Sequence, residues 1–185
     1  TDNPAATVGE IGLDFAIEPR DIALQESIFL AQLRLARDLR RPVTIHCRRA
    51  WGRMPDLLRT EGLHPAGLIF HSYSGGAELV APLTALNAHF SFSGTITHVR
   101  NRRSPEAARA VPADRLLIET DSPDLPPEGL PARPDGGPPL NEPAHLPIIA
   151  NALARARNTD MADIAATTWT NGVRLFGARR EERSA

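Results

Sequence analysis

Five short apolar runs punctuate the chain: Val8 to Leu13, Val43 to Cys47, Leu68 to Ser72, His89 to Ser93 and Leu116 to Glu119. Each has the length of a strand, and most are rich in β-branched or aromatic residues, so each predicts one. Their starts lie roughly 20 to 35 residues apart, which leaves room for a crossover helix and is too far for hairpins, so the sheet is expected to be parallel. Between the first two runs Asp21 is placed to cap a helix whose apolar positions Ile22, Phe29, Leu33, Ala36 and Leu39 share a face, before Pro42 blocks its continuation. Further helices are expected over Met54 to Leu58, over Ala77 to Leu86 with Pro82 shortening or kinking it, and after Ser104-Pro105. Pro123 to Pro143 reads as a long loop and not as an interdomain linker. The two amphipathic helices after it, near Glu142 to Arg157 and Met161 to Trp169, have no core of their own and must pack back on the sheet.

Composition narrows the class. A chain of 185 residues, 42% hydrophobic and 23% charged, can bury a sizeable core, and one domain over residues 1–185 is the expectation. The 21 basic residues, all arginine, nearly balance 22 acidic ones, leaving a formal charge of -1. Any contact with nucleic acid must therefore come from a local patch and not from a global field. A single cysteine, Cys47, excludes an internal disulfide framework and a four-thiolate zinc site. No apolar run approaches a membrane span and the start shows no signal-peptide pattern, so a cytoplasmic protein with no membrane association and no obligate protein partner is expected. The Arg179 to Arg183 cluster is expected to be a solvated end.

Buried parallel strands are ordinarily near-continuously apolar, so acidic and imidazole side chains recurring at their C-terminal ends call for a reason. Glu10, His46, His71 and Asp121 all sit at or near such ends. Singly, each has an ordinary reading: a satisfied histidine, a buried ion-pair partner, a turn-forming aspartate before Ser-Pro. Together, two imidazoles and two carboxylates pointed at one spot form a plausible set of ligands for divalent metals, at the end where parallel barrels build their active sites.

Several motifs also resemble one family. GEIGLDF at Gly9 to Phe15, IHCR at Ile45 to Arg48, FHSYSG from Phe70, FSFSG from Phe90, IETDSPDL from Ile118 and Asn141-Glu142-Pro143 occur in family order. They make the chain similar to the TatD family of metal-dependent deoxyribonucleases, within the wider amidohydrolase-like barrels. That resemblance implies a TIM-type (β/α)8 barrel with two divalent ions, Mg2+, Mn2+ or Zn2+. It implies Glu10 as a bridging carboxylate, His46 and His71 as ligands of one ion, and Asp121 as a ligand that also handles a proton. Arg48 would meet a substrate phosphate, and Glu119 would orient a neighbouring ligand or point into the barrel.

Barrels of this type need about 250 residues, more than this chain has, and the resemblance identifies the five strands as strands four to eight, so that the first three are expected to be missing. The family's strand-one His-x-His or His-x-Asp pattern is absent, and His89, His98 and His145 do not have that spacing. Three more N-terminal strands in the native protein are expected; a fragment without activity is the alternative. The implied substrate is DNA, single-stranded or at frayed ends, cleaved by an exonuclease. Arg100, Arg102 and Arg103, in the loop after the fourth run, are expected to form a basic patch with Arg48, Arg49 and Arg53 across the mouth, a merely solvated loop being the other reading. Tyr73, Trp51, Phe90 and Phe92 are candidates for stacking on bases, the two phenylalanines having barrel filling as the stronger reading. Other readings are a metallohydrolase such as a D-aminoacyl-tRNA deacylase, or a non-catalytic nucleic-acid-binding fragment.

Overall fold

A computed structural model describes residues 6–177; the Arg179 to Arg183 cluster lies outside them. Five strands, β1 (Val8–Asp14), β2 (Val43–Arg48), β3 (Leu68–Phe70), β4 (Ala88–Phe92) and β5 (Leu116–Ile118), pair in chain order. Every pair is parallel, as the spacing predicted. Among the described residues β1 and β5 each have one neighbour, so the sheet is open at both edges.

The helices follow from local chemistry. In α1 (Ile22–Asp38) the Asp21 carboxylate accepts a hydrogen bond from the Leu24 amide at 2.9 Å, satisfying one of the unpaired donors of the first turn. Phe29, Leu33 and Ala36 are buried against the sheet, while Ile22 and Leu39, expected on that face, are exposed. Helix α2 (Met54–Glu61) carries Pro55 in its first turn, where the missing amide is harmless. Pro82 has the expected effect: a 3-10 turn at Ala77–Leu79 leads into only five residues of α3 (Val80–Thr84). Then come α4 (Arg103–Ala110), α5 (Leu146–Arg157) and α6 (Met161–Gly172). The last two do pack on the sheet, placing Ile149, Leu153 and Ile164 in the core. Residues 119–142 contain no helix or strand, as expected of the loop.

Burial alternates along β1 and β2, whereas β3 and β4 are buried at every position. Ile11 and Leu13 of β1, Val43, Ile45 and Cys47 of β2, Phe70 of β3 and Phe90 and Phe92 of β4 join the hydrophobic core. His64 and His89 are buried, and burial pushes both down to about 4, which keeps them neutral at ordinary pH. Among the described residues no helix is long and apolar enough to cross a membrane.

Candidate metal centre

Because all five strands are parallel, their C-terminal ends share one edge of the sheet, and the polar residues flagged in the sequence gather there. The pairing of β1 with β2 steps from Val8↔Val43 to Ile11↔Ile45, a bulge at Gly9-Glu10 that re-aims the Glu10 carboxylate. Beyond it Gly12 lies opposite His46. The contact is so close that a Cβ on Gly12, at φ +155°, would sit 1.9 Å from the His46 carbonyl oxygen.

Three donors converge. The Nε2 of His71 lies 3.1 Å from Glu10 Oε1 and 3.2 Å from Nδ1 of His46, whose distance to Glu10 Oε2 is 3.9 Å. Two imidazole nitrogens sharing one tetrahedral ion at about 2.0 Å would be about 3.3 Å apart, so the spacing suits a common cation. The outward nitrogens face carboxylates. Nδ1 of His71 is 3.7 Å from Glu119 Oε1 and 3.8 Å from Asp121 Oδ1. Nε2 of His46 is 3.4 Å from Asp14 Oδ2. A carboxylate behind an imidazole holds the ring proton on the far nitrogen and leaves the inward lone pair bare, the arrangement usual for metal-ligating histidines. The 3.2 Å contact between the two inward nitrogens is a hydrogen bond when either carries a proton, and a shared cation takes the place of that proton when both present lone pairs. Donor chemistry and spacing therefore both fit a divalent ion held by Glu10, His46 and His71.

Electrostatics agrees. Burial by itself would lower the pKa of His71, but Glu119, Glu10 and Asp121 outweigh it and raise the pKa overall. The negative field that stabilises a proton there also attracts a divalent cation. Asp121 is raised, first by burial and then by Glu119, Glu10 and Asp124, with His71 opposing.

The remaining expectations divide. Asp121 lies behind His71 and is not part of the three-donor group found among the described residues, so three of the four expected ligands come together. Glu119 accepts from the Ser72 amide, and its Oε1 lies 3.7 Å from Nδ1 of His71. Arg48 is exposed, with Nη1 3.7 Å from Asp14 Oδ2. Arg49, Arg100 and Arg102 are exposed, the last two on the loop after β4. Arg53 is committed elsewhere, paired to Glu26 at 2.6 and 2.8 Å.

Tyr73 is a correction. It is 1% exposed, packed edge-on against Trp51 and Phe90, and donates its hydroxyl to the Gly76 carbonyl, so no ring face is left for a base. Phe90 and Phe92 are likewise buried. Cys47 is buried, which pushes its thiol up to about 12 and makes it inert as a ligand. His98 holds the Pro126 carbonyl at 3.0 Å. Asn141, buried, donates to the carbonyls of Thr120 at 2.7 Å and Asp124 at 2.5 Å, pinning the turn that carries Asp121. Asp14 was not singled out from the sequence, although the alternation of a strand puts Glu10, Gly12 and Asp14 on one face.

Comparison with known proteins adds an independent line. The model of the family described as TatD related DNase matches residues 1–177. Over 171 residues the chain is 39% identical to the 3'-5' ssDNA/RNA exonuclease TatD of Escherichia coli K12, covering 92% of this chain and 65% of that protein. Over 169 residues it is 32% identical to the uncharacterized metal-dependent hydrolase YabD of Bacillus subtilis, covering 91% and 64%. The crystal structure of YjjV, a TatD homolog from Escherichia coli K12, superposes with a TM-score of 0.83 at 27% identity, covering 92% of this chain and 63% of that one. The chain thus spans about 64–65% of the length of the curated relatives it matches.

Proposed function

The chain belongs to the TatD-related DNase family, and on that premise we propose that it carries the catalytic centre of a metal-dependent hydrolase that cleaves phosphodiester bonds of DNA. The expected mode is exonucleolytic, on single strands or frayed ends, in the cytoplasm. The observation that carries this reading is the triad of Glu10, His46 and His71, with a carboxylate behind each imidazole.

When bound there, divalent ions, two in the complete site, supply concentrated positive charge that polarises the phosphate and lowers the pKa of water. The chain's own groups do the rest. Arg48, at the mouth, donates its planar fork to a non-bridging phosphate oxygen. Asp121, whose carboxyl burial raises above its ordinary value, takes the proton of the attacking water. Arg100 and Arg102 hold backbone phosphates further along the strand.

In the finer architecture we infer, the whole protein closes the sheet into an eight-stranded barrel by three further strand–helix units between β5 and β1. Support comes from the two open edges and from an apolar groove of about 790 Å³ beside β5, lined by Ile118, Met161, Val173 and Phe176 and by Trp169, which is 75% exposed. The share of the relatives' length that the chain spans points the same way.

The activity is tested by incubating the protein with an end-labelled single-stranded oligonucleotide, with Mg2+ or Mn2+ and with EDTA, beside a D-aminoacyl-tRNA. Stepwise shortening that EDTA abolishes is expected, with Asp121→Asn slowing it about 100-fold, the scale of a lost proton acceptor. Deacylation of the tRNA without any loss of nucleotides would overturn the reading.

A further inference from the structure

We propose that Asp14 is a positioning residue for this centre: its carboxylate holds the ring proton of His46 on Nε2, so that Nδ1 is presented bare toward Glu10 and His71, and it tethers Arg48 beside that ring. The proposal rests on the metal reading above and deepens it.

The geometry gives Asp14 little choice. Its backbone is clamped to α1 by Gln25, whose Oε1 accepts from the Asp14 amide and whose Nε2 donates to the Asp14 carbonyl, both at 2.9 Å. Its Oδ1 is occupied by the Ala16 amide at 2.8 Å. Only Oδ2 is left to face the site, 3.4 Å from His46 Nε2 and 3.7 Å from Arg48 Nη1. Register enforces the same neighbours, since Gly12 lies opposite His46 and Asp14 opposite Arg48 across the β1–β2 pair. With the other tautomer, His46 would point an N–H at the position where a cation needs a lone pair. One carboxylate oxygen thereby couples the orientation of a metal ligand to that of the arginine that receives the phosphate.

The test reads the imidazole as well as the metal. Long-range ¹H–¹⁵N spectra report which nitrogen of His46 carries the proton in the metal-free chain, and titration with Mn2+ reports affinity. In the parent, His46 is expected as the Nε2–H tautomer. Asp14→Ala should shift it toward Nδ1–H and weaken Mn2+ binding about 10- to 100-fold, while the ring signals of the buried His64 and His89 stay in place. Asp14→Asn keeps one acceptor oxygen; with that oxygen on the Ala16 amide its NH2 faces Nε2 and favours the Nδ1–H tautomer, so it should shift His46 in the same direction as the alanine and serves alone if the alanine variant does not fold. Unchanged His46 tautomer and parental Mn2+ affinity in the variants would overturn the role of Asp14. Failure of the parent to bind Mn2+ would instead overturn the metal reading, and the tautomer shift would still decide for or against Asp14.

Discussion

Replacing His71 by alanine is expected to weaken divalent-metal binding at least 100-fold and, under the function proposed above, to lower cleavage of single-stranded DNA by about 1000-fold or more, beyond the effect of losing a single proton acceptor. His71 is the hub of the centre. Its Nε2 meets Glu10 and His46, and its Nδ1 faces Glu119 and Asp121. Its side chain is 11% exposed, so water cannot fully take over its role. Removal deletes one donor and leaves Glu10, Glu119 and Asp121 facing one another without the imidazole between them. Isothermal titration with Mn2+ and a labelled-oligonucleotide assay measure the two effects. Parental metal affinity in His71→Ala would show that the histidine is a structural ion-pair partner and nothing more.

Gly12→Ala is expected to lower stability by about 3 kcal/mol or more, a melting-temperature fall of roughly 6–12 °C for a chain of this size, and to abolish metal binding together with it. The added methyl meets backbone: 1.9 Å from the oxygen, 2.7 Å from the carbon and 2.9 Å from the nitrogen of His46. A flexible side chain could move aside, but here β1 must separate from β2. The strain adds to the clash, because φ +155° disfavours any residue with a Cβ. The cost falls where Glu10, Asp14 and His46 are held in register, so stability and the site fail together. Thermal unfolding followed by circular dichroism measures it, and a change within 0.5 kcal/mol would mean that the two strands are not in this close contact.

The framework was readable because burial and local chemistry agree. Runs such as Val43 to Cys47 can be little else than strands, Asp21 signals a cap, and even spacing signals parallel crossovers. Polar residues ending those strands were conspicuous because burying them without partners is costly, which is how Glu10, His46, His71 and Asp121 were found. What escaped depends on details of register and on choices among partners. Nothing in Gly9-Glu10 announces the bulge that turns Glu10 toward the histidines. Tyr73 follows a strand whose end bears a site residue, yet its ring turns into the aromatic cluster, since burying it gains more than leaving it wet. Arg53 belongs by sequence to a basic rim but finds Glu26 on α1, a partner 27 positions away that no local pattern reveals. Asp121 reaches the site from behind His71, because the turn held by Asn141 sets its approach.

Anomalous diffraction from crystals of the chain grown with Zn2+ or Mn2+ decides whether Glu10, His46 and His71 hold one cation among them. A peak within coordination distance of Glu10 Oε1, His46 Nδ1 and His71 Nε2 is the predicted result. A map with no peak there at saturating metal, and the two imidazoles instead hydrogen-bonded directly to each other, would contradict it.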